Sequence, residues 1–158
     1  MAVLLKNGID YNILLADSFR DGKTNVAACG IIMRGDKVLL IKRVKGGERG
    51  SEWEIPGGKV EKGESLKEGV IREVREETNL TVTDITKYVG KADYTFPGSK
   101  IEFRLFMFTV NVENTAVRLR PDEHEEYLWV RMNEAKKYLH PDVFTDLFLS
   151  YIDSLKVF

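Results

Sequence analysis

Three glutamates, Glu73, Glu76 and Glu77, are spaced so that their carboxylates could act together. Residues three and four apart are neighbours on a helix surface, so a helix would place all three side chains on one stripe. Helices that face solvent usually alternate charge signs at this spacing, which makes an all-acidic stripe unfavourable without a counter-charge. A solvated acidic face and a bound divalent cation both account for the pattern, and the helix alone leaves both open.

A cation bound here would have only oxygen ligands, because no histidine or cysteine lies near the three glutamates in the sequence. Oxygen ligands favour Mg²⁺ or Mn²⁺ over zinc. The D-x-D-x-D-G pattern of a calcium-binding EF-hand loop is absent from the chain. Mg²⁺ keeps several waters and shares its coordination shell with substrate phosphates. The acidic stripe therefore suggests a substrate that carries a diphosphate or polyphosphate.

The helix that carries the glutamates has recognisable ends. Ser65 and Glu68 form an S-x-x-E capping box, which predicts that the helix begins near Leu66. Asn79 tolerates the left-handed conformation that closes helices, so the helix should end there. An apolar stripe overlaps the acidic one at its Glu77 edge, and its members are Leu66, Val70 and Val74. The carboxylates should therefore lie where the helix meets the rest of the protein.

Gly69 falls on the acidic side of this helix, one turn before Glu73. Glycine in a helix interior costs about 1 kcal/mol relative to alanine. A close approach by another part of the chain would explain why glycine is present. We expect the turn at Gly57 and Gly58 to make that approach.

The remaining elements predict a layered α/β domain. The segments "NVAACGIIM" and "KVLLIKRV" are typical of two strands joined by a tight turn, and "WEIPGG" of a short strand. Further strands are predicted in "ITKYVGKADYTF", "KIEFRLFMFTVNV" and "EYLWVRM". Apolar residues at helical spacing between positions 143 and 155 predict a C-terminal amphipathic helix. The glycine-rich "KGGERG" lacks the pattern of a phosphate-binding loop, and we interpret it as a flexible connection that could close over a substrate.

Composition limits the classes of protein to consider. The chain has 158 residues, 43% of them hydrophobic and 31% charged, which suits one globular domain. A net charge of -1 gives no general attraction to nucleic acid or to a membrane surface. The single cysteine, Cys29, excludes a disulfide within the chain and fits a reducing compartment, so we expect the cytoplasm. No apolar run reaches the ~18 residues of a membrane helix.

The spacing of fixed residues around the acidic helix resembles the signature of the Nudix hydrolases. That family's pattern is G-x5-E-x7-R-E-U-x-E-E-x-G-U, where U is a bulky apolar residue. Gly58 and Glu64 match its first two fixed positions, and the run from Arg72 to Leu80 matches the rest, except that Asn79 stands where the family has glycine. Asparagine is the usual substitute for glycine at a helix-closing position, so the difference is mild.

The resemblance implies a fold and a division of the chain. The fold would be an α/β/α sandwich of the Nudix type, with a mixed β-sheet between helices. Residues 26–158 would form the Nudix hydrolase domain. Residues 1–25 would be an N-terminal extension, in which "YNILLADSF" could form an extra strand.

The resemblance also implies a reaction, which is hydrolysis of a nucleoside diphosphate linked to another moiety, with Mg²⁺ or Mn²⁺. The implied metal ligands are the carbonyl of Gly58 and the carboxylates of Glu73, Glu76 and Glu77. Arg72 would orient these glutamates electrostatically. Glu64 would support the loop that leads into the helix.

Within the family the chain is most similar to the MutT-like nucleoside triphosphate pyrophosphohydrolases, which release a nucleoside monophosphate and pyrophosphate. Arg43, at the end of "VLLIKR", matches a basic residue that contacts substrate phosphate. Phe96 precedes a proline and a strand, as in those enzymes, and could stack on a base, although a core position is an equal alternative. Lys59, directly after the glycine turn, is a further candidate for substrate binding.

A loop near the C-terminus provides one more candidate ligand. Glu123 lies six residues before Trp129 and matches a glutamate that completes the metal site and takes part in catalysis in MutT-like enzymes. Glu125 and Glu126 lie too close to it for the sequence to decide among the three. His124, in the same loop, is expected to be a surface histidine, with a general base as the alternative.

Two other functions remain open. The chain could be an ADP-ribose or nucleotide-sugar pyrophosphatase of the same family, because Pro97 lies close to where that subgroup carries proline. It could also be a non-catalytic nucleotide-binding module. Such modules usually lack some of the acidic residues of the family signature, whereas this chain has all of them. The expected partner is a nucleoside di- or triphosphate-type small molecule, with neither nucleic acid nor membrane involved. The chain would be a monomer or a homodimer.

Overall fold

The computed structural model describes residues 8–46, 49–95, 98–113 and 116–155. Its helices are α1 (Tyr11–Arg20), α2 (Leu66–Thr78) and α3 (Val143–Ser154), with a 3-10 helix at Met132–Lys137. Its strands are β1 (Asn25–Arg34), β2 (Lys37–Arg43), β3 (Trp53–Glu54), β4 (Gly57–Lys59), β5 (Val82–Thr95), β6 (Glu102–Val112) and β7 (His124–Arg131). No helix of the described residues is long and apolar enough to cross a membrane.

The strands form one seven-stranded mixed sheet. Its main path runs β3-β2-β1-β6-β5, and β4 and β7 pair off this path with β1 and β2 respectively. β1 pairs in parallel with β6, whereas the other pairings are antiparallel. Helices cover both faces, so the predicted α/β/α sandwich with a mixed sheet is confirmed.

Apolar side chains of the central strands alternate between two cores. On β1, Ala28 and Ile32 point toward the core that contains α2, whereas Cys29 and Ile31 point to the opposite core, which contains α3. β6 divides its buried residues in the same way. Strands covered on both faces have near-continuous apolar sequences, and the second half of β6 showed this feature in the sequence.

The predicted extra strand at "YNILLADSF" is wrong, because this segment forms helix α1. The side chain of Asp10 caps the helix by accepting a hydrogen bond from the Ile13 backbone N–H at 3.1 Å. Tyr11 packs its ring against Phe108, with 5.7 Å between ring centroids. Helix α1 therefore packs on the same core as α2. The division of the chain at residue 25 stays a prediction.

Helix α2 begins and ends as predicted. Ser65 and Glu68 form both hydrogen bonds of the capping box. Asn79 closes the helix with a φ of 67° and a ψ of 7°, the left-handed conformation expected of that position. The apolar stripe of α2 packs into the core, which fixes the rotation of the helix and points its acidic stripe at β4.

Candidate active site

The glycine turn lies directly against the acidic face of α2. An added methyl group at Gly58 would come within 2.6 Å of the Glu73 carboxyl, so only glycine fits there without a shift. The backbone N–H of Gly57 donates a hydrogen bond to Glu77 Oε1 at 2.7 Å. β4 is held in place by its pairing with β1, in which Gly58 faces Ala28. The sheet therefore positions the turn and the core positions the helix.

The three carboxylates have different environments. Glu77 is only 4% exposed, and its burial, together with the nearby charge of Glu54, raises its pKa to about 9. Burial also raises the pKa of Glu73, against the hydrogen bond from Arg72. The Glu76 side chain is 41% exposed. Buried acids with raised pKa values gain most from a positive charge at the site, so this donor set fits a divalent cation.

Arg72 supplies positive charge at the acidic face of α2. Its guanidinium donates hydrogen bonds to Glu64 at 2.7 and 2.9 Å, to Glu73 at 2.9 Å and to Glu76 at 3.1 Å. A further bond reaches the Lys59 carbonyl at 3.0 Å. Hydrogen bonds to these carboxylates raise the pKa of Arg72, and the bond from Arg72 lowers the pKa of Glu64. Arg72 therefore offsets repulsion among the acids and ties α2 to β4.

The expectation for Gly69 requires correction. An added methyl group at Gly69 would lie 3.0 Å from the Val60 side chain and 3.3 Å from the Glu64 carboxylate. These side chains follow the glycine turn, and the turn itself makes no close approach at Gly69. The small residue makes room for the Glu64 carboxylate, which binds Arg72.

The structure separates Glu123, which directly precedes β7, from Glu125 and Glu126, which lie within that strand. Arg120 Nη1 lies 3.9 Å from Glu123 Oε1 and 3.7 Å from Glu76 Oε2, so the Glu123 carboxylate is near the acidic face of α2. Glu125 and Glu126 instead lie 3.9 Å from the amino group of Lys42. The backbone carbonyl of Glu123 accepts a hydrogen bond from the Val44 N–H at 3.0 Å, which anchors the loop to the chain just after β2.

Glu54 and His124 lie beside Glu77, although the sequence did not single out Glu54 and favoured a surface position for His124, with a general base as the alternative. The expectation that His124 is a surface residue is wrong, because its side chain is fully buried. Its Nε2 lies 2.8 Å from Glu54 Oε1, and its Nδ1 lies 3.7 Å from Glu77 Oε2. Burial alone would raise the pKa of Glu54, but the hydrogen bond with His124 and the charge of Arg43 hold it below its ordinary value.

Glu54, Glu77 and His124 form a group that could hold a metal ion. One ligand atom from each residue lies within 4.8 Å of the ligand atoms of the other two. No alternation along β7 predicts the burial of His124, because the register with β2 shifts between Lys42 and Arg43 and turns its side chain toward α2. Glu54 gave no usable signal, because it lies in a strand of only two residues.

A cavity of about 490 Å³ opens next to the glycine turn. Gly58 and Lys59 lie at its edge, and Arg43, Arg49, Glu54 and Asp142 contribute charged groups to its lining. Aromatic and aliphatic side chains line much of the rest, and they include Tyr94, Phe103, Met107, Leu139 and Phe144. This volume, mostly apolar with a few convergent polar groups, is typical of a small-molecule site.

Of the three predicted substrate contacts, two line this cavity. Arg43 is held by Glu54, with Nη1 3.0 Å from Oε1. Lys59 is exposed at the end of β4. Phe96, and the Pro97 on which the ADP-ribose alternative depends, lie outside the described residues.

Comparison with known proteins agrees with this geometry. A family model described as the NUDIX domain matches residues 23–148. A CTP pyrophosphohydrolase of Escherichia coli strain K12 is 32% identical over 108 residues, which cover 68% of this chain and 76% of that protein. An ADP-ribose pyrophosphatase of Methanocaldococcus jannaschii is 49% identical over 55 residues, which cover 35% of this chain and 32% of that protein.

A solved structure shares the fold. The crystal structure of the MutT protein from Methanosarcina mazei Go1 superposes with a TM-score of 0.73 and 29% identity, and the match covers 84% of this chain and 95% of that one. The fold, the acidic helix and the cavity define a hydrolase of phosphoanhydride bonds. The chain belongs to the Nudix family, as the extent of the family match shows.

Proposed function

We propose that this Nudix hydrolase is a MutT-like pyrophosphohydrolase that uses Mg²⁺ or Mn²⁺ and cleaves nucleoside triphosphates, ribo or deoxy, to a monophosphate and pyrophosphate. One observation carries the proposal. The carboxylates of Glu77, which is buried, and Glu73, which is partly buried, lie against the Gly57–Gly58 backbone, and that backbone lines a cavity of about 490 Å³. That arrangement brings oxygen ligands and a substrate pocket together.

The proposed metal ligands are the Gly58 carbonyl and the carboxylates of Glu73, Glu76, Glu77 and Glu123. They suit a hard divalent cation because all of them are oxygens. A bound cation would polarise phosphoryl oxygens and activate water for attack on phosphorus. The residue Arg72 would hold Glu73 and Glu76 in place through the hydrogen bonds described above.

Positive side chains at the cavity would bind the polyphosphate. Arg43 is the stronger candidate because Glu54 fixes its guanidinium at the cavity wall. Lys59 adds a second positive charge beside the glycine turn. Both would offset negative charge that develops as the phosphoanhydride bond breaks. Phe96 stays a proposed base contact.

The apolar part of the cavity supports a nucleoside as the remaining part of the substrate. Tyr94, Phe103 and Phe144 offer flat aromatic surfaces against which a base could pack. A triphosphate substrate is supported by the CTP pyrophosphohydrolase relative, whose match extends over most of both chains. The alternative, ADP-ribose or a nucleotide sugar, is supported by a higher identity over a shorter segment.

A substrate screen with Mg²⁺ or Mn²⁺ tests the proposal. Purified protein is incubated with the ribo- and deoxynucleoside triphosphates, ADP-ribose and nucleotide sugars, and the products are identified by chromatography. Pyrophosphate with a monophosphate from a triphosphate would support the proposal. AMP from ADP-ribose, without triphosphate cleavage, would support the alternative.

A pair of variants tests whether the acidic helix carries the activity. We expect Glu76→Gln to lower turnover by orders of magnitude while the fold persists, and Glu125→Gln, in strand β7 beside Lys42, to retain turnover. Calorimetric Mn²⁺ titrations of the wild type and Glu76→Gln address the binding-module alternative. Absence of turnover, with indistinguishable titrations, would favour a non-catalytic module.

Location and assembly also stay proposals. We place the enzyme in the cytoplasm because its only cysteine, Cys29, is a buried thiol whose pKa is raised by burial, as expected of a structural cysteine. A monomer and a homodimer both remain compatible with the fold. The proposed partner is a free nucleotide, since the near-zero net charge gives no general attraction to nucleic acid.

A further inference from the structure

A continuous series of contacts joins the proposed phosphate-binding arginine to a proposed metal ligand. Arg43 Nη1 lies 3.0 Å from Glu54 Oε1. The same Glu54 oxygen lies 2.8 Å from His124 Nε2. Across the ring, His124 Nδ1 lies 3.7 Å from Glu77 Oε2. The other oxygen of Glu77 accepts the hydrogen bond from the Gly57 backbone.

The hydrogen at the centre of this series can be assigned. An ionised carboxylate only accepts hydrogen bonds, so the contact with Glu54 requires a hydrogen on His124 Nε2. Nδ1 is buried and has no hydrogen-bond partner among the described residues. Its nearest acidic group is Glu77. A buried polar atom left in this state is unfavourable for folding alone, which indicates a role at the site.

We propose that Glu54 and His124 form a positioning pair that holds Arg43 and Glu77 in a fixed relation. This inference rests on the proposed function, because it assigns a purpose to the spacing between phosphate and metal sites. His124 is a positioning residue and not a catalytic one, since its side chain has no exposed surface from which to touch a substrate. Polar groups that contact metal-ligating side chains from behind fix the orientation of those ligands in other proteins.

The pair has two ends that variants can separate. In His124→Gln the amide can reach the position of Nε2 and keep the contact with Glu54, while the group facing Glu77 is lost. In His124→Asn the shorter amide can occupy the position of Nδ1 and face Glu77, while the contact with Glu54 is lost. His124→Leu loses both contacts at similar volume. These variants therefore distinguish positioning from simple packing.

Mn²⁺ alone is the probe for the Glu77 end, and the KM for a nucleoside triphosphate is the probe for the Arg43 end. We expect His124→Gln to weaken Mn²⁺ binding about 10- to 100-fold, the usual effect of losing a group that orients a ligand, while KM stays close to the wild-type value. We expect His124→Asn to raise KM and keep most of the Mn²⁺ affinity. His124→Leu should both weaken Mn²⁺ binding and raise KM. Equal effects of all three variants on both probes would overturn the proposal.

Nuclear magnetic resonance gives a readout that does not depend on activity. The chain has 2 histidines, so a sample labelled with ¹⁵N-histidine gives two sets of ring signals. His140 has a 54% exposed side chain and is the internal control, and His140→Gln assigns its signals. At one fixed pH we expect Mg²⁺ to shift the Nδ1 signal of His124 and leave His140 unchanged. A His124 signal that ignores saturating Mg²⁺ would contradict the proposal.

These experiments separate the inference from the proposed function. If the wild type cleaves no nucleotide but Mg²⁺ shifts the His124 signal, the proposed function fails and the positioning pair stands. If the wild type is active and neither Mn²⁺ affinity nor KM responds to the His124 variants, the inference fails alone. Should these variants not fold, Glu54→Gln carries the test, because its amide weakens both contacts of Glu54 without changing side-chain shape. Unaltered KM and Mn²⁺ affinity in that variant would overturn the proposal.

Discussion

Replacing Glu77 by glutamine should make the metal-free protein more stable at neutral to alkaline pH. The Glu77 carboxyl is 4% exposed, and burial with the charge of Glu54 raises its pKa from an ordinary 4.5 to about 9. Between these two values the folded protein holds a proton at Glu77 that the unfolded chain has released. The stability that Glu77 contributes is therefore fully present below pH 4.5 and is lost as the pH rises through about 9.

The size of the effect follows from proton linkage. One proton of difference changes the free energy of unfolding by at most about 1.4 kcal/mol per pH unit. We expect a fall of about 1 to 2 kcal/mol between about pH 6 and pH 8, because neighbouring acids share the titration. Glutamine cannot ionise, and its amide oxygen can still accept the hydrogen bond from Gly57. The variant should lose most of this pH dependence.

Urea unfolding in EDTA at several pH values measures this directly for the wild type and Glu77→Gln. Glu76→Gln is the matched control, because it removes the same charge from a 41% exposed side chain on the same helix. Adding Mn²⁺ should stabilise the wild type and have much less effect on Glu77→Gln. Parallel pH profiles for the wild type and Glu77→Gln would refute the argument that Glu77 is a buried acid without a counter-charge.

Three further changes test how the site is built. Gly58→Ala places a methyl group 2.6 Å from the Glu73 carboxyl, so steady-state kinetics should show kcat/KM lower by about 100-fold, and circular dichroism should show the fold retained. Arg72→Lys removes the planar guanidinium that donates hydrogen bonds to both Glu64 and Glu73, so the free energy of unfolding in urea should fall by about 1 to 2 kcal/mol. An unchanged unfolding midpoint would contradict this role of the guanidinium. Asn79→Ala replaces a residue that tolerates the left-handed conformation, here at a φ of 67°, by one that rarely adopts it, and thermal unfolding should show a loss of about 1 kcal/mol that Asn79→Gly does not cause.

The sequence predicted the parts of the site that depend on neighbouring residues in the chain. Ser65 and Glu68 fix the start of α2 by contacts three residues apart, and Asn79 fixes its end by its own backbone conformation. The acidic and apolar stripes follow from helix geometry, which places Glu77 at their boundary. Gly58 could be singled out because its spacing from the helix matches a family signature.

The parts that the sequence missed depend on pairing between distant segments. His124 is buried because β7 pairs with β2 and the register shifts between Lys42 and Arg43, which no local pattern reveals. Glu54 reaches His124 only through the pairing of β3 with β2. In α1, the short apolar run of "YNILLADSF" favours a strand and a helix equally, and the cap at Asp10 decides the outcome.

Cooperative binding of Mn²⁺ and a nucleotide tests the central claim most directly. Free Mn²⁺ is followed by electron paramagnetic resonance during titration of the wild type and Glu73→Gln, each with and without a non-hydrolysable nucleoside triphosphate. If α2 and the glycine turn hold a cation that also binds the polyphosphate, the analogue will tighten Mn²⁺ binding by the wild type protein, and Glu73→Gln will lose most of that gain. Equal Mn²⁺ binding by both proteins, with or without the analogue, would contradict the account.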